Sequence, residues 1–139
     1  MRVIRMDAAD FFNFKIDRLG GIYKGKQAAG MIKAAGKWIL QSGQVSIGIG
    51  AVARNHFSAA TISMFPCTSG ISGVFSLYPA SEPEYVEVEN VLIGGPTVEK
   101  GYVSAPPGPG LGIDVNETAL RKFLPQGKSP VLVGKKDIG

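Results

Sequence analysis

Lys15 is the residue in this 139-residue chain whose setting most suggests chemistry. It follows Phe11–Phe12–Asn13–Phe14 and precedes Ile16–Asp17–Arg18–Leu19–Gly20–Gly21, so an apolar aromatic stretch runs into one lysine and then into a Gly-Gly turn. Apolar residues on both sides of a lysine describe a strand over 11–16 that is covered on both faces, as in a parallel sheet. A lysine near the carboxyl end of such a strand is badly placed for solvent and well placed for a site. The commoner use of the residue is plainer: the stem lies along the sheet end and the ammonium reaches water.

The other reactive side chains are sparse. Asp10 and Asp17 flank Lys15, one before the strand and one after its end. His56 is the single histidine and falls on the apolar face of a helix, which favours a core imidazole hydrogen-bonded to backbone over a catalytic one. Cys67 is the single cysteine, so no internal disulfide can form, and this fits a reducing compartment. Thr68–Ser69–Gly70–Ile71–Ser72–Gly73 is a small-residue loop with free amides that could hold an anion, although surface turns of this composition are far commoner. Gly48–Ile49–Gly50 lacks the third glycine of a dinucleotide fingerprint. No metal-ligand spacing occurs.

These residues need elements to position them. After the Gly20–Gly21 turn, apolar or small residues at 22, 28, 29, 31, 32 and 35 predict a helix over about 22–36, with Gly36 as its terminating glycine. Lys37–Trp38–Ile39–Leu40–Gln41 reads as a second strand, completing a βαβ unit with a right-handed crossover. The loop Ser42–Ser46 follows at its carboxyl end. Ile49, Val52, Ala53, His56, Phe57 and Ala60 share one helical face, with Arg54, Asn55 and Ser58 opposite. A third strand is predicted near 61–65, parallel to the other two, with both helices on one side of the sheet.

Residues 82–100 read as an extended, acidic excursion, and Pro106–Ile113 as a fixed irregular path. Asp114 with Glu117 suggests a capping box for a short helix before Pro125. The tail 126–139 reads as frayed. Composition sets the outer limits. The chain is 45% apolar with a formal charge of +4, enough for one globular domain with a core. Its basic residues are scattered and not interleaved with aromatics, which argues against nucleic-acid binding. No run approaches about 18 apolar residues and the N-terminus has no signal-peptide core, so the expectation is a soluble, cytoplasmic protein without a membrane partner.

Asn13–Gly21, then Gly48–Ile49–Gly50 with His56, then Gly101–Tyr102–Val103 through Pro109–Gly110–Leu111–Gly112–Ile113, resemble the C-terminal part of the mandelate racemase/muconate lactonizing branch of the enolase superfamily. The Pro-Gly-Leu-Gly segment and the Lys-x-x-x-x-Gly-Gly turn are its most specific motifs, and the resemblance spans roughly residues 8–124. It implies an α/β fold, the sixth to eighth strands of a (β/α) barrel in residues 1–113, with a C-terminal helix and tail in 114–139. It implies removal of the proton α to a carboxylate, with Mg2+ stabilising the enediolate on ligands that lie upstream of Met1. Lys15 then matches the acid/base lysine of the sixth strand, as in lactonizing and epimerase members. His56 matches a packed position, not the racemase histidine. Ser46 and Ser69 stand where lactonizing members often carry glutamates, which leaves Ser46, Ser69 and Gly70 as substrate-binding residues able to hydrogen-bond but not to supply charge. The expected whole is an isomerase or lyase acting on a small carboxylate as a homo-oligomer, the present chain being an inactive fragment. The alternative is a non-catalytic remnant that binds a small acid or serves as a structural module.

Overall fold

The computed structural model describes residues 2–42, 48–66, 91–122, 124–125 and 127–129. A short helix α1 (Arg2–Arg5) leads to strand β1 (Phe11–Phe14), helix α2 (Ile22–Ala34), strand β2 (Trp38–Gln41) and helix α3 (Ile49–Ala59). β1 and β2 pair in parallel, Phe11 opposite Trp38 and Phe14 opposite Gln41. The expected βαβ unit is therefore present. Its crossover helix ends as the sequence predicts: Gly36 takes φ 70°, its N–H reaches the Lys33 carbonyl at 2.9 Å, and the Lys37 N–H reaches Ile32 at 3.1 Å. That pair of bonds is a Schellman closure, for which a residue without a Cβ is best suited.

Alternation along β1 divides the sheet into two faces. Phe14, Ile16 and Ile39 turn toward the helices and join Ala29 and Ile32 of α2 and Phe57 of α3 in one core. Both helices thus cover the same face of the sheet. Phe57 is 1% exposed and stacks on Phe14 with ring centroids 6.2 Å apart. Burying a ring or branched chain of this kind stabilises by about 1.5–3 kcal/mol per side chain. The opposite face carries Phe11 and Trp38, both of which meet the Phe65 ring edge-on.

The third strand is much reduced. Only Met64 bridges Ile39 in parallel, through Ile39 N–H to Ser63 and Phe65 N–H to Ile39. The chain leaving α3 explains this, because Thr61 N–H bonds back to Ser58 and Met64 N–H back to Thr61, so a turn consumes the residues that would have extended the strand.

The C-terminal part packs against α3. β3 (Leu92–Ile93) pairs antiparallel with β6 (Asp114–Val115), and β4 (Thr97–Glu99) with β5 (Tyr102–Ser104). Lys100 and Gly101, at φ 50° and 82°, make the two-residue hairpin turn between β4 and β5. A Cβ on Gly48, the residue before α3, would lie 2.7 Å from a Leu92 methyl, so this segment reaches the start of α3. His56 Nε2 lies 3.0 Å from the Leu111 carbonyl, so the segment also reaches the far end of the helix. Arg54 and Asn55, expected on an exposed side, are accordingly buried at 5% and 7% exposure. Ala60, expected on the buried face, is exposed. The helix is covered on more than the one face its periodicity reveals.

One capping expectation is overturned. Asp114 lies in β6, and the short helix α4 (Glu117–Arg121) is capped by Asn116, whose Oδ1 accepts the Ala119 N–H at 3.1 Å. Asparagine serves this position as well as aspartate does.

Candidate functional site

Lys15 is the first residue after β1, and the backbone around it is tightly specified. Its carbonyl accepts N–H bonds from Arg18 at 3.0 Å and Leu19 at 3.3 Å, and Gly21 N–H closes on the Ile16 carbonyl at 2.8 Å. Gly20 and Gly21 sit at φ 87° and 100°, conformations that cost little only without a Cβ. The turn fixes where the strand ends. Strand parity then decides direction: Phe14 and Ile16 are buried toward the helices, so Lys15 turns to the other face with Asn13 and Phe11.

Lys15 is half-buried and lines a cleft of about 370 Å³ with Phe12, Asn13, Phe14, Arg18 and Leu19. Three consecutive residues of β1 and the one that follows can line a single cleft only along the strand's edge. This edge of β1 carries no strand among the described residues. Three aromatic or aliphatic side chains give the cleft apolar walls, and Asn13, Lys15 and Arg18 supply an amide and two cations. Among the described residues no carboxylate pairs with Lys15 or Arg18, whereas Lys37, Lys100 and Arg121 each have an acidic partner. Such a cleft can accept an anion with an apolar body.

The two flanking aspartates do other work. Asp10 lies 2.8 Å and Asp7 2.6 Å from the Lys37 ammonium, which ties the chain before β1 to the start of β2. The Lys37 hydrogen bond, then its charge, holds the Asp7 carboxyl below its usual value. The hydrogen bonds that Lys37 donates to Asp10 and Asp7 raise its own pKa in turn. Asp17 is exposed, and its charge acts on Arg54, whose burial lowers its own proton affinity.

His56 is half-buried and donates Nε2–H to the Leu111 carbonyl, a backbone-bonded packing role of the expected kind. It does not line the cleft. Ser46, Cys67, Ser69 and Gly70 lie outside the described residues. Arg18 escaped the sequence reading; the available signal was its place in the turn, three residues after Lys15. Among the described residues no three His, Cys, Asp or Glu side chains gather to hold a metal ion, so these residues offer no magnesium site. Among them, too, no helix is long and apolar enough to cross a membrane.

Residues 1–119 match the enolase C-terminal domain-like family. The chain belongs to that family. The enolase-type domain resembles in fold the crystal structure of a mandelate racemase/muconate lactonizing enzyme from Roseovarius nubinhibens ISM, with a TM-score of 0.61 and 22% sequence identity. The match covers 86% of this chain and 29% of that one, so the enolase-type domain spans under a third of the protein it resembles. No curated protein matches the sequence. The family indicated by Lys15–Gly21 and by Pro109–Ile113 is thus the family found.

Proposed function

We propose that this domain forms the last part of a (β/α) barrel enzyme, an isomerase or lyase, in which Lys15 removes or returns the proton α to a substrate carboxylate. The observation that carries the reading is Lys15 itself: half-buried at the carboxyl end of a parallel strand, lining a cleft, with no carboxylate partner among the described residues. A free amine there takes the α-proton, and the resulting ammonium gives it back to the same or a neighbouring carbon. Epimerisation needs the proton returned to the opposite face of the same carbon, by a second acid on another strand of the proposed barrel, whereas loss of a β-substituent after proton removal makes the reaction a lyase. Arg18 brings a second cation to the cleft, suited to a carboxylate oxygen.

Family likeness implies Mg2+ for the enediolate. The described residues do not fit it, so its ligands belong to other strands of the proposed barrel. Ser46, Ser69 and Gly70 are proposed to bind the substrate from the loops after the next two strands. The competing reading is a module that binds a small acid without turning it over.

Deuterium incorporation into α-C–H carboxylic acids, followed by NMR with excess magnesium, separates the two. A polypeptide carrying this domain with the preceding barrel strands should exchange those protons, and the 139-residue chain alone should not. Lys15→Met in the longer polypeptide should lower exchange by about 10²–10⁴-fold, the usual worth of a positioned acid/base. Near-normal exchange in that variant would remove Lys15 from the mechanism, and binding without exchange in the unmodified protein would favour the binding module.

A further inference from the structure

A second cleft lies at the other end of the sheet from Lys15. It measures about 150 Å³ and is lined by Lys26, Gly30 and Lys33 of α2 and by Ile62 and Ser63 of the turn after α3. Lys33 is in the last turn of α2, just before β2, and Ser63 immediately precedes Met64, which bridges Ile39 in parallel. Both therefore belong to the amino ends of the strands, whereas Lys15 follows the carboxyl end of β1. Lys26 Nζ donates to the Ala60 carbonyl, which uses one of its three N–H groups. Lys33 has no partner among the described residues. Ser63 is 7% exposed, yet its hydroxyl has no partner among them, and neither do the N–H groups of Ile62 and Ser63. The neighbouring Thr61 hydroxyl is already bound to the Phe57 carbonyl. A buried donor without an acceptor is unfavourable, and an anion in the cleft would supply the acceptor.

The charge around this cleft has one sign. From Arg18 to Ser81 the sequence holds four lysines and two arginines and no aspartate or glutamate. Asp7 and Asp10, which stand at the same end of the sheet, are bound by Lys37. We propose that the cleft binds a phosphate group, as the free ion or as the end of a phosphate monoester. Two ammonium groups act as point charges, and the serine hydroxyl and two amides give directed bonds to a group with several acceptor oxygens. A volume of this size takes about six heavy atoms, which suits a phosphate group and leaves the rest of any ester outside the cleft. An occupant at the amino ends of the strands leaves Lys15 uncovered, so this site stands apart from the chemistry proposed for that residue.

The test titrates the 139-residue chain with inorganic phosphate at constant ionic strength and follows the amide resonances by NMR, with helical circular dichroism as the check on folding. The Ile62 and Ser63 amides should shift saturably, with a Kd of about 1 mM. Acetate, with a single charge and two acceptor oxygens, should bind about tenfold more weakly. Lys33→Gln should weaken phosphate about tenfold and Ser63→Ala about fivefold. Lys24→Gln removes the same charge from α2 outside the cleft and should change the Kd by less than about twofold. Gly30→Leu tells a built site from diffuse attraction. Nothing lies within 4 Å of a Cβ at Gly30, so the new side chain enters the cleft. It also favours the helix, and it should abolish saturable binding with every lysine in place. Phenyl phosphate bound as tightly as inorganic phosphate would support the ester, and inorganic phosphate bound more tightly would support the free ion. No saturable shift at Ile62 and Ser63, acetate bound as tightly as phosphate, or phosphate binding that survives Gly30→Leu would overturn the proposal. Because the readout is binding at the far end of the sheet, none of these results bears on whether Lys15 moves a proton.

Discussion

Replacing Gly25 by alanine sets two effects of known size against each other. Gly25 lies in α2 where the helix passes behind the Lys15 turn, and it is buried. In an open helix the change would stabilise by about 1 kcal/mol, since alanine restricts the unfolded chain and favours helix. Here the added Cβ would sit 3.1 Å from Phe57 Cε2 and 3.3 Å from Ile16 Cγ2, closer than such contacts normally allow. Neither neighbour can easily retreat. Phe57 is 1% exposed with its ring stacked on Phe14, and Ile16 is 6% exposed. Crowding a packed core in this way costs about 1–3 kcal/mol, so the net effect should be a loss of about 1 kcal/mol. Urea unfolding of dilute chain, followed by circular dichroism, measures it. The decisive step is to repeat the change in a Phe57→Leu background, where the ring is gone and only Ile16 remains close. Gly25→Ala should then be neutral or stabilising by up to about 1 kcal/mol, a coupling of about 1–2 kcal/mol between the two sites. If Gly25→Ala stabilises the unmodified chain, or the coupling falls below about 0.5 kcal/mol, α2 is not pressed onto α3 at this point.

Other outcomes follow from single contacts. Asn116→Ala should cost about 1 kcal/mol by removing the cap on Ala119 N–H, seen as faster amide exchange across α4. Gly112→Ala should cost more, upward of about 2 kcal/mol, because φ is 66° and a Cβ would lie 2.5 and 2.6 Å from the Pro107 and Pro106 carbonyl oxygens; displacement of Leu111 should then shift the His56 ring resonances. The Lys37 cluster should show a two-sided pH profile. Asp7 is lowered from its usual 3.8, so its contribution is present above that value and lost as pH falls through the lower folded one. Lys37 is raised from 10.5, so its contribution is present below that value and lost as pH climbs through the higher folded one. Lys37→Met should remove both limbs from a stability–pH curve, and persistence of either would assign it elsewhere.

What could be read in the sequence was what neighbours in the chain decide. The Lys15–Gly21 turn, the Schellman glycine at 36 and the helical repeat of α3 depend on φ preferences and on a period of 3.6, and both are written locally. What could not be read depends on what lies across the fold. Arg54 and Asn55 look solvent-facing because a hydrophobic period marks one buried face only, and nothing in it shows that a second segment covers the other. Asp114 and Asn116 are both good caps, and the choice between them falls to Asp114 pairing with Ile93, a contact across 21 residues. The third strand shrank to Met64 because the exit from α3 turned back on Ser58 and Thr61. That Lys15 ends a strand was legible, and the structure places it in a cleft. Arg18 was not, because a turn residue shows its cleft only once the turn is folded.

The geometry at Lys15 also ties the proposed chemistry to completion of the sheet. The strand edge toward which the backbone groups of Phe11 and Asn13 turn forms one wall of the cleft. A strand laid along that edge by a preceding part of the proposed barrel would satisfy the backbone and leave the sheet end, where Lys15 sits, open to substrate. A longer polypeptide that supplies this strand should therefore gain the α-proton exchange that the 139-residue chain lacks, because filling the edge completes the sheet without covering the amine.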